Sequence, residues 1–221
     1  MILVAKGVRT LCYGYLGVLF PIALAEAGLD SVRVGGAVAL TLLATAAQTW
    51  AIRGLSRRHA PSRILSALSA AIVVSGLIFL GSEPAWAFVL AAMLGNLAVG
   101  TGESGPFLTL EQVLLARAAP KESFAGVFSG YNLVGFVASA FGAALVAWDA
   151  APRALFFAAF SLGGALQILI YRALPASLPA PRPAAAANAP VKPLVRRIAV
   201  LFALDSFAGG FIVQSLVLYW F

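Results

Sequence analysis

Two carboxylates stand inside long apolar stretches of this 221-residue chain, Glu103 and Asp205. Ionisable groups are costly in such surroundings and face a partner or a polar cavity. Burial disfavours the charged form of a carboxyl group, so the chemistry open to these two is proton exchange. Glu103 comes late in its stretch and could equally reach an interface. Asp205 lies about eight residues into its own, ~12 Å along a helix axis; it is the better functional candidate of the two, against a structural role capping or packing the helix. Arg9 reads either as an interfacial anchor or as a contact for a bound solute. Tyr13, Gln48, Asn96, Tyr131, Asn132, Gln167 and Gln214 are polar residues among apolar neighbours. Such residues line cavities or hydrogen-bond between helices.

Other chemistries find little support. Gly100-Thr101-Gly102-Glu103-Ser104-Gly105 matches the letters of a dinucleotide fingerprint, but a working one needs a preceding strand and a βαβ unit. Close helix packing by small residues explains it better. One cysteine, Cys12, and one histidine, His59, offer neither a disulfide framework nor a zinc cluster. No convergent set of catalytic groups is present in the sequence, so neither an enzyme nor a cofactor is expected.

The elements that must position these residues are apolar helices. Hydrophobic residues make up 62% of the chain and charged residues 10%, with a mean hydropathy of +0.96. A soluble domain carries about 25% charged residues, so the expected surroundings are a lipid bilayer. Apolar runs cover roughly 8–26, 32–52, 64–82, 85–108, 123–148, 153–173 and 198–221. None alternates with a period of two, which disfavours a β-barrel. Trp86, Trp148, Tyr171, Tyr219 and Trp220 fall near run ends, where aromatic belts form.

The net charge of +7 would suggest nucleic acid for a soluble protein. Here the cations flank apolar runs instead, so no nucleic acid is expected. With the N-terminus inside, 13 of the 15 Lys and Arg residues fall on the cytoplasmic side, leaving Arg33 and Arg153 outside. That asymmetry fixes the expected orientation. Residues 174–197 are rich in Pro and Ala, including Pro175, Pro179, Pro181 and Pro183. They read as a cytoplasmic linker between a six-helix bundle, 1–173, and a seventh helix, 198–221.

Six helices, a basic linker and a new helix resemble the first half of a major facilitator superfamily transporter, plus its helix seven. Four stretches carry the likeness: Arg9 to Tyr15, Arg53 to Arg63, Gly105 to Gln112, and Leu204 to Phe211. Arg53 to Arg63 sits where the family has a Gly-x-Leu-Ala-Asp-Arg-x-Gly-Arg loop. The resemblance implies that this loop latches two halves on the cytoplasmic side. Arg57 stands at the family's Asp and Ala60 at its Gly, while Arg58 fits and is expected to pair with Glu111. The Gly-Pro ending of the antiporter helix five is absent, so drug–proton antiport is not implied.

The expectation is therefore an all-α membrane protein of the bacterial inner membrane, multi-pass, with a cytoplasmic N-terminus. The resemblance implies alternating access driven by an ion gradient, moving a small-molecule solute. Arg9, Tyr13, Gln48, Glu103, Asn132 and Asp205 are the binding or coupling candidates; Arg57, Arg58 and Glu111 are the latch candidates. As an incomplete chain it is expected not to transport alone, and to need a missing C-terminal half or self-association. The competing expectation is a non-transporting interaction or scaffold protein derived from a truncated transporter.

Overall fold

The computed structural model describes residues 1–98, 103–147, 151–174 and 191–209. Among these the long elements are all α-helices: α1 (Ile2–Glu26), α2 (Ser31–Leu55), α3 (Pro61–Gly81), α4 (Ala85–Leu94), α5 (Pro106–Ala118), α6 (Phe124–Val146), α7 (Arg153–Arg172) and α8 (Val191–Gly209). Their starts follow local chemistry. The Asp30 carboxylate accepts the Arg33 backbone N–H at 2.8 Å and caps α2. Pro61 and Pro106 open α3 and α5, where the missing N–H has no intrahelical acceptor to lose.

α1, α2, α3, α6 and α7 are each long and apolar enough to cross a membrane. The fourth apolar run, expected as one helix over 85–108, is instead two pieces. α4 has 10 residues and α5 has 13, ~15 Å and ~20 Å at 1.5 Å per residue, so neither alone crosses the ~30 Å hydrocarbon core. Asn96 takes a left-handed backbone (φ 53°) and so does Gly105 (φ 121°), and Pro106 restarts the helix. Together α4 and α5 have about the helical length of one interrupted span, ~35 Å at 1.5 Å per residue.

α1 is the central helix. It packs most extensively on α6, and also on α7, α2 and α4; α3 pairs with α7 and with both halves of the interrupted span, and α2 pairs with that span too. The α1–α6 contact brings backbones together. A Cβ on Gly14 would come within 2.1 Å of the Ser139 carbonyl oxygen, and one on Gly142 within 2.0 Å of the Leu11 carbonyl oxygen. Small residues permit this approach, which supplies packing where lipid offers no hydrophobic drive. Phe79 stacks on Phe157 at 5.0 Å between ring centres and ties α3 to α7.

Counting α4 and α5 as one span gives six spans in the bundle. Exchanging spans one, two and three with four, five and six maps the set of principal packed pairs onto itself. First-with-fifth becomes fourth-with-second; first-with-sixth becomes fourth-with-third; third-with-sixth returns to itself.

Helix α8 begins at Val191, inside the expected linker, and its side chains from Pro193 to Asp205 are exposed. Most of the Pro-rich linker, Trp148, Gln214, Tyr219 and Trp220, and the expected seventh run beyond Gly209 lie outside the described residues.

Candidate functional site

α1 starts six residues before its expected boundary, and this changes the meaning of its two cations. Lys6 and Arg9, expected at the cytoplasmic flank, are instead 3% and 0% exposed. Arg9 lies seven residues into α1, ~10 Å from its start. It is not an interfacial anchor. Three residues apart, Lys6 and Arg9 share one face of the helix and meet carboxylates from the interrupted span.

Glu111, on α5, takes one side of the Arg9 guanidinium. Arg9 Nη2 donates to Glu111 Oε2 at 2.6 Å and Nη1 to Oε1 at 3.2 Å, a two-pronged pair. The same carboxylate accepts from the Tyr131 hydroxyl of α6 at 2.7 Å and the Tyr171 hydroxyl of α7 at 2.5 Å. Arg9 Nη1 also donates to Gln167 Oε1 at 3.1 Å and to the Tyr171 oxygen at 2.8 Å. Glu103, on the backbone between α4 and α5, takes the other side: Arg9 Nε donates to its Oε1 at 2.5 Å, and Lys6 Nζ pairs with its Oε2.

Two cations and two carboxylates make the cluster formally neutral. Arg9 and Glu111 have no exposed side-chain surface, and Glu103 keeps 2%. Aromatic faces back the cations: Arg9 lies 4.4 Å from the Phe107 ring centre, and Lys6 Nζ 4.5 Å from that of Tyr131. These contacts favour a cation in a dry site.

The interruption itself is sustained by donors from three neighbouring helices. The last carbonyls of a helix have no intrahelical partner, and in lipid they must find one inside the protein. Ser75 of α3 donates to the Ala91 carbonyl at 2.6 Å, Gln48 of α2 to Met93 at 2.7 Å, and Tyr13 of α1 to Gly95 at 3.1 Å. A Cβ on Gly95 would come within 2.5 Å of the Ser75 hydroxyl. Tyr13 and Gln48, candidates for solute contact, thus hold the helix end. Gln48 Oε1 and both polar side-chain atoms of Asn96 remain buried without a partner among the described residues.

The structure therefore gathers Arg9, Glu103 and Glu111 into one network, with Tyr13 and Gln48 beside it at the break. Asn132 and Asp205 are exposed and make none of its hydrogen bonds among the described residues. The expected Arg58–Glu111 latch pair is not formed. Arg57 and Arg58 are exposed in the turn between α2 and α3, while the register of α5 turns Glu111 inward to Arg9. Lys6 and Tyr171 were missed as site residues. One resembled a flanking charge and the other a belt aromatic; the three-residue spacing of Lys6 and Arg9 was the available signal.

At the other end of the bundle Arg153 Nη2 donates to Glu26 Oε1 at 2.6 Å, joining the end of α1 to the start of α7. Both side chains are about half exposed, so the pair contributes ~0–1 kcal/mol.

No protein-family model matches the chain, and no solved structure does. A stretch of 139 residues is 27% identical to an uncharacterized membrane protein of Saccharomyces cerevisiae. The match covers 61% of this chain and 30% of that protein, so the chain aligns with under a third of its relative. This similarity, the apolar helices and the lipid-style glycine packing agree: the chain is an all-α membrane protein.

Proposed function

We propose that the six-span bundle is one half of a secondary transporter of the major facilitator type, with the solute held between it and a second bundle. The observation that carries this reading is the buried, neutral charge network built across an interrupted span. Intramembrane ionisable groups that pair with one another mark solute and ion pathways. Discontinuous helices with unwound backbone are where transporters place their sites.

The packing supports the reading independently. Its three-by-three exchange pairs spans that cross in opposite directions, the pattern of inverted repeats inside one transporter half. The six spans and the Arg-rich turns at one end agree with a cytoplasmic N-terminus. The second bundle comes either from further polypeptide, as the greater length of the yeast relative allows, or from a second copy of this chain. An ion gradient supplies the energy, and alternating access moves the solute. The localisation is a cell membrane; a bacterial inner membrane is the narrower form of the proposal.

Membrane vesicles from cells producing the protein provide the test. Gradient-driven uptake should appear for a member of a panel of small labelled solutes, and Arg9→Gln should abolish it while the protein remains in the membrane. Uptake indistinguishable from vesicles lacking the protein, across the panel, would leave the interaction-protein reading.

A further inference from the structure

The two carboxylates of the network are not equivalent. Glu111 sits on a regular helix and accepts from Arg9, Tyr131 and Tyr171. Glu103 sits on non-helical backbone, two residues from the left-handed Gly105, and among the described residues its carboxylate is held by Lys6 and Arg9. Arg9 is already neutralised by Glu111, so Lys6 and Glu103 form a second buried pair. A second buried ion pair is a poor stabilising device, because desolvation offsets much of its attraction.

The surroundings of Lys6 are shaped to keep it there. A Cβ on Gly135 would come within 2.6 Å of Lys6 Cε, so the glycine leaves the room that the lysine stem fills. Tyr131 lies under the ammonium and Phe107 under the guanidinium. What these two cations grip is a planar carboxylate: one oxygen on Arg9 Nε, the other shared by Lys6 Nζ and Arg9 Nη2. Its neighbour Ser104 is exposed, so the gripped group lies one residue from the surface of the bundle.

We propose that Lys6 and Arg9 form a binding site for a small carboxylate solute, and that Glu103 fills it as an internal stand-in until the solute displaces it. Glu111, with its tyrosines, keeps Arg9 in position throughout. The inference deepens the transporter reading by naming its solute class, but binding at the site is measurable without transport.

Displacement has a quantitative consequence. An internal competitor lowers the fraction of binding-competent protein and weakens apparent affinity in proportion. Equilibrium dialysis of the detergent-solubilised chain against labelled propionate should show Glu103→Gln binding about ten-fold or more tighter than the unaltered protein. Propionamide, its neutral isostere, should bind to neither. The charge-balanced Lys6→Met/Glu103→Gln protein should lose the gain. A gain for phosphate without one for propionate would overturn the carboxylate assignment, and no gain for either would overturn the site.

Should Glu103→Gln fail to fold, the same displacement can be read with Glu103 in place. In a Cys12→Ser background, propionate should speed thiol labelling of Ser104→Cys several-fold while propionamide does not. Equal rates with both would overturn the proposal. Propionate binding without uptake of any solute by vesicles would count against the transporter reading alone. Uptake of another solute, with no propionate binding, would count against this site alone.

Discussion

Arg9 uses all three of its nitrogens in the network, on acceptors from the interrupted span and from α7. Arg9→Gln strands the buried Glu111 carboxylate and leaves Glu103 with Lys6 as its one cation, and removing one partner of a buried pair costs ~3–5 kcal/mol. Unfolding the purified protein by titrating SDS into mild detergent should register that loss. Arg9→Lys should recover little, since a lysine cannot present the planar fork that two carboxylates share. Glu111→Gln should destabilise more than Glu103→Gln, because Glu111 also orders two tyrosines; the reverse ranking would contradict the roles assigned here. At this scale the sequence was partly legible. Arg9, Glu103 and Glu111 stand out as charges near apolar runs, but their meeting does not. Whether a charge near a helix start is a flank or a core group depends on where that helix begins, and Leu3, Val4 and Ala5 continue α1 past the expected boundary.

Between elements, the closest contact is glycine against backbone in the α1–α6 pair. Gly142→Leu should destabilise by more than the ~1–3 kcal/mol of ordinary overpacking, because the obstruction is a carbonyl that cannot rotate away. Gly126→Leu, on the same helix with nothing within 4 Å of its Cβ position, should cost far less. Comparable losses at both positions in the SDS titration would contradict the packing. The five helices long and apolar enough to cross a membrane were legible as apolar runs within a few residues, α1 excepted at its start. The interruption was not, because its residues Gly95, Leu97 and Ala98 are small or apolar and keep hydropathy high. Only backbone signals, Gly105 before Pro106, marked it. The donors that make it tolerable come from α1, α2 and α3, 16 to 82 residues away in sequence.

For the whole molecule, the Arg-rich end and the network end are the same end. α1 and α6 begin there, α7 ends there, and Arg57 and Arg58 turn there. Reporter fusions in the turn at His59 and in the turn at Glu83 should therefore report opposite sides of the membrane, with His59 on the cytoplasmic side. Both on one side would remove a span from the bundle. The exchange symmetry of the packing was not legible from the sequence, since helix pairing is set by three-dimensional contact rather than by hydropathy.

Alternating access is tested most directly by asking from which side one position can be reached. Asn132 is exposed on α6, next to the network residue Tyr131. With Cys12→Ser and Asn132→Cys, a membrane-impermeant thiol reagent should react in intact vesicles when added to either face, and an imposed ion gradient should shift the balance between the two. Reaction from a single face under every gradient, or from neither, would contradict a solute path through this bundle.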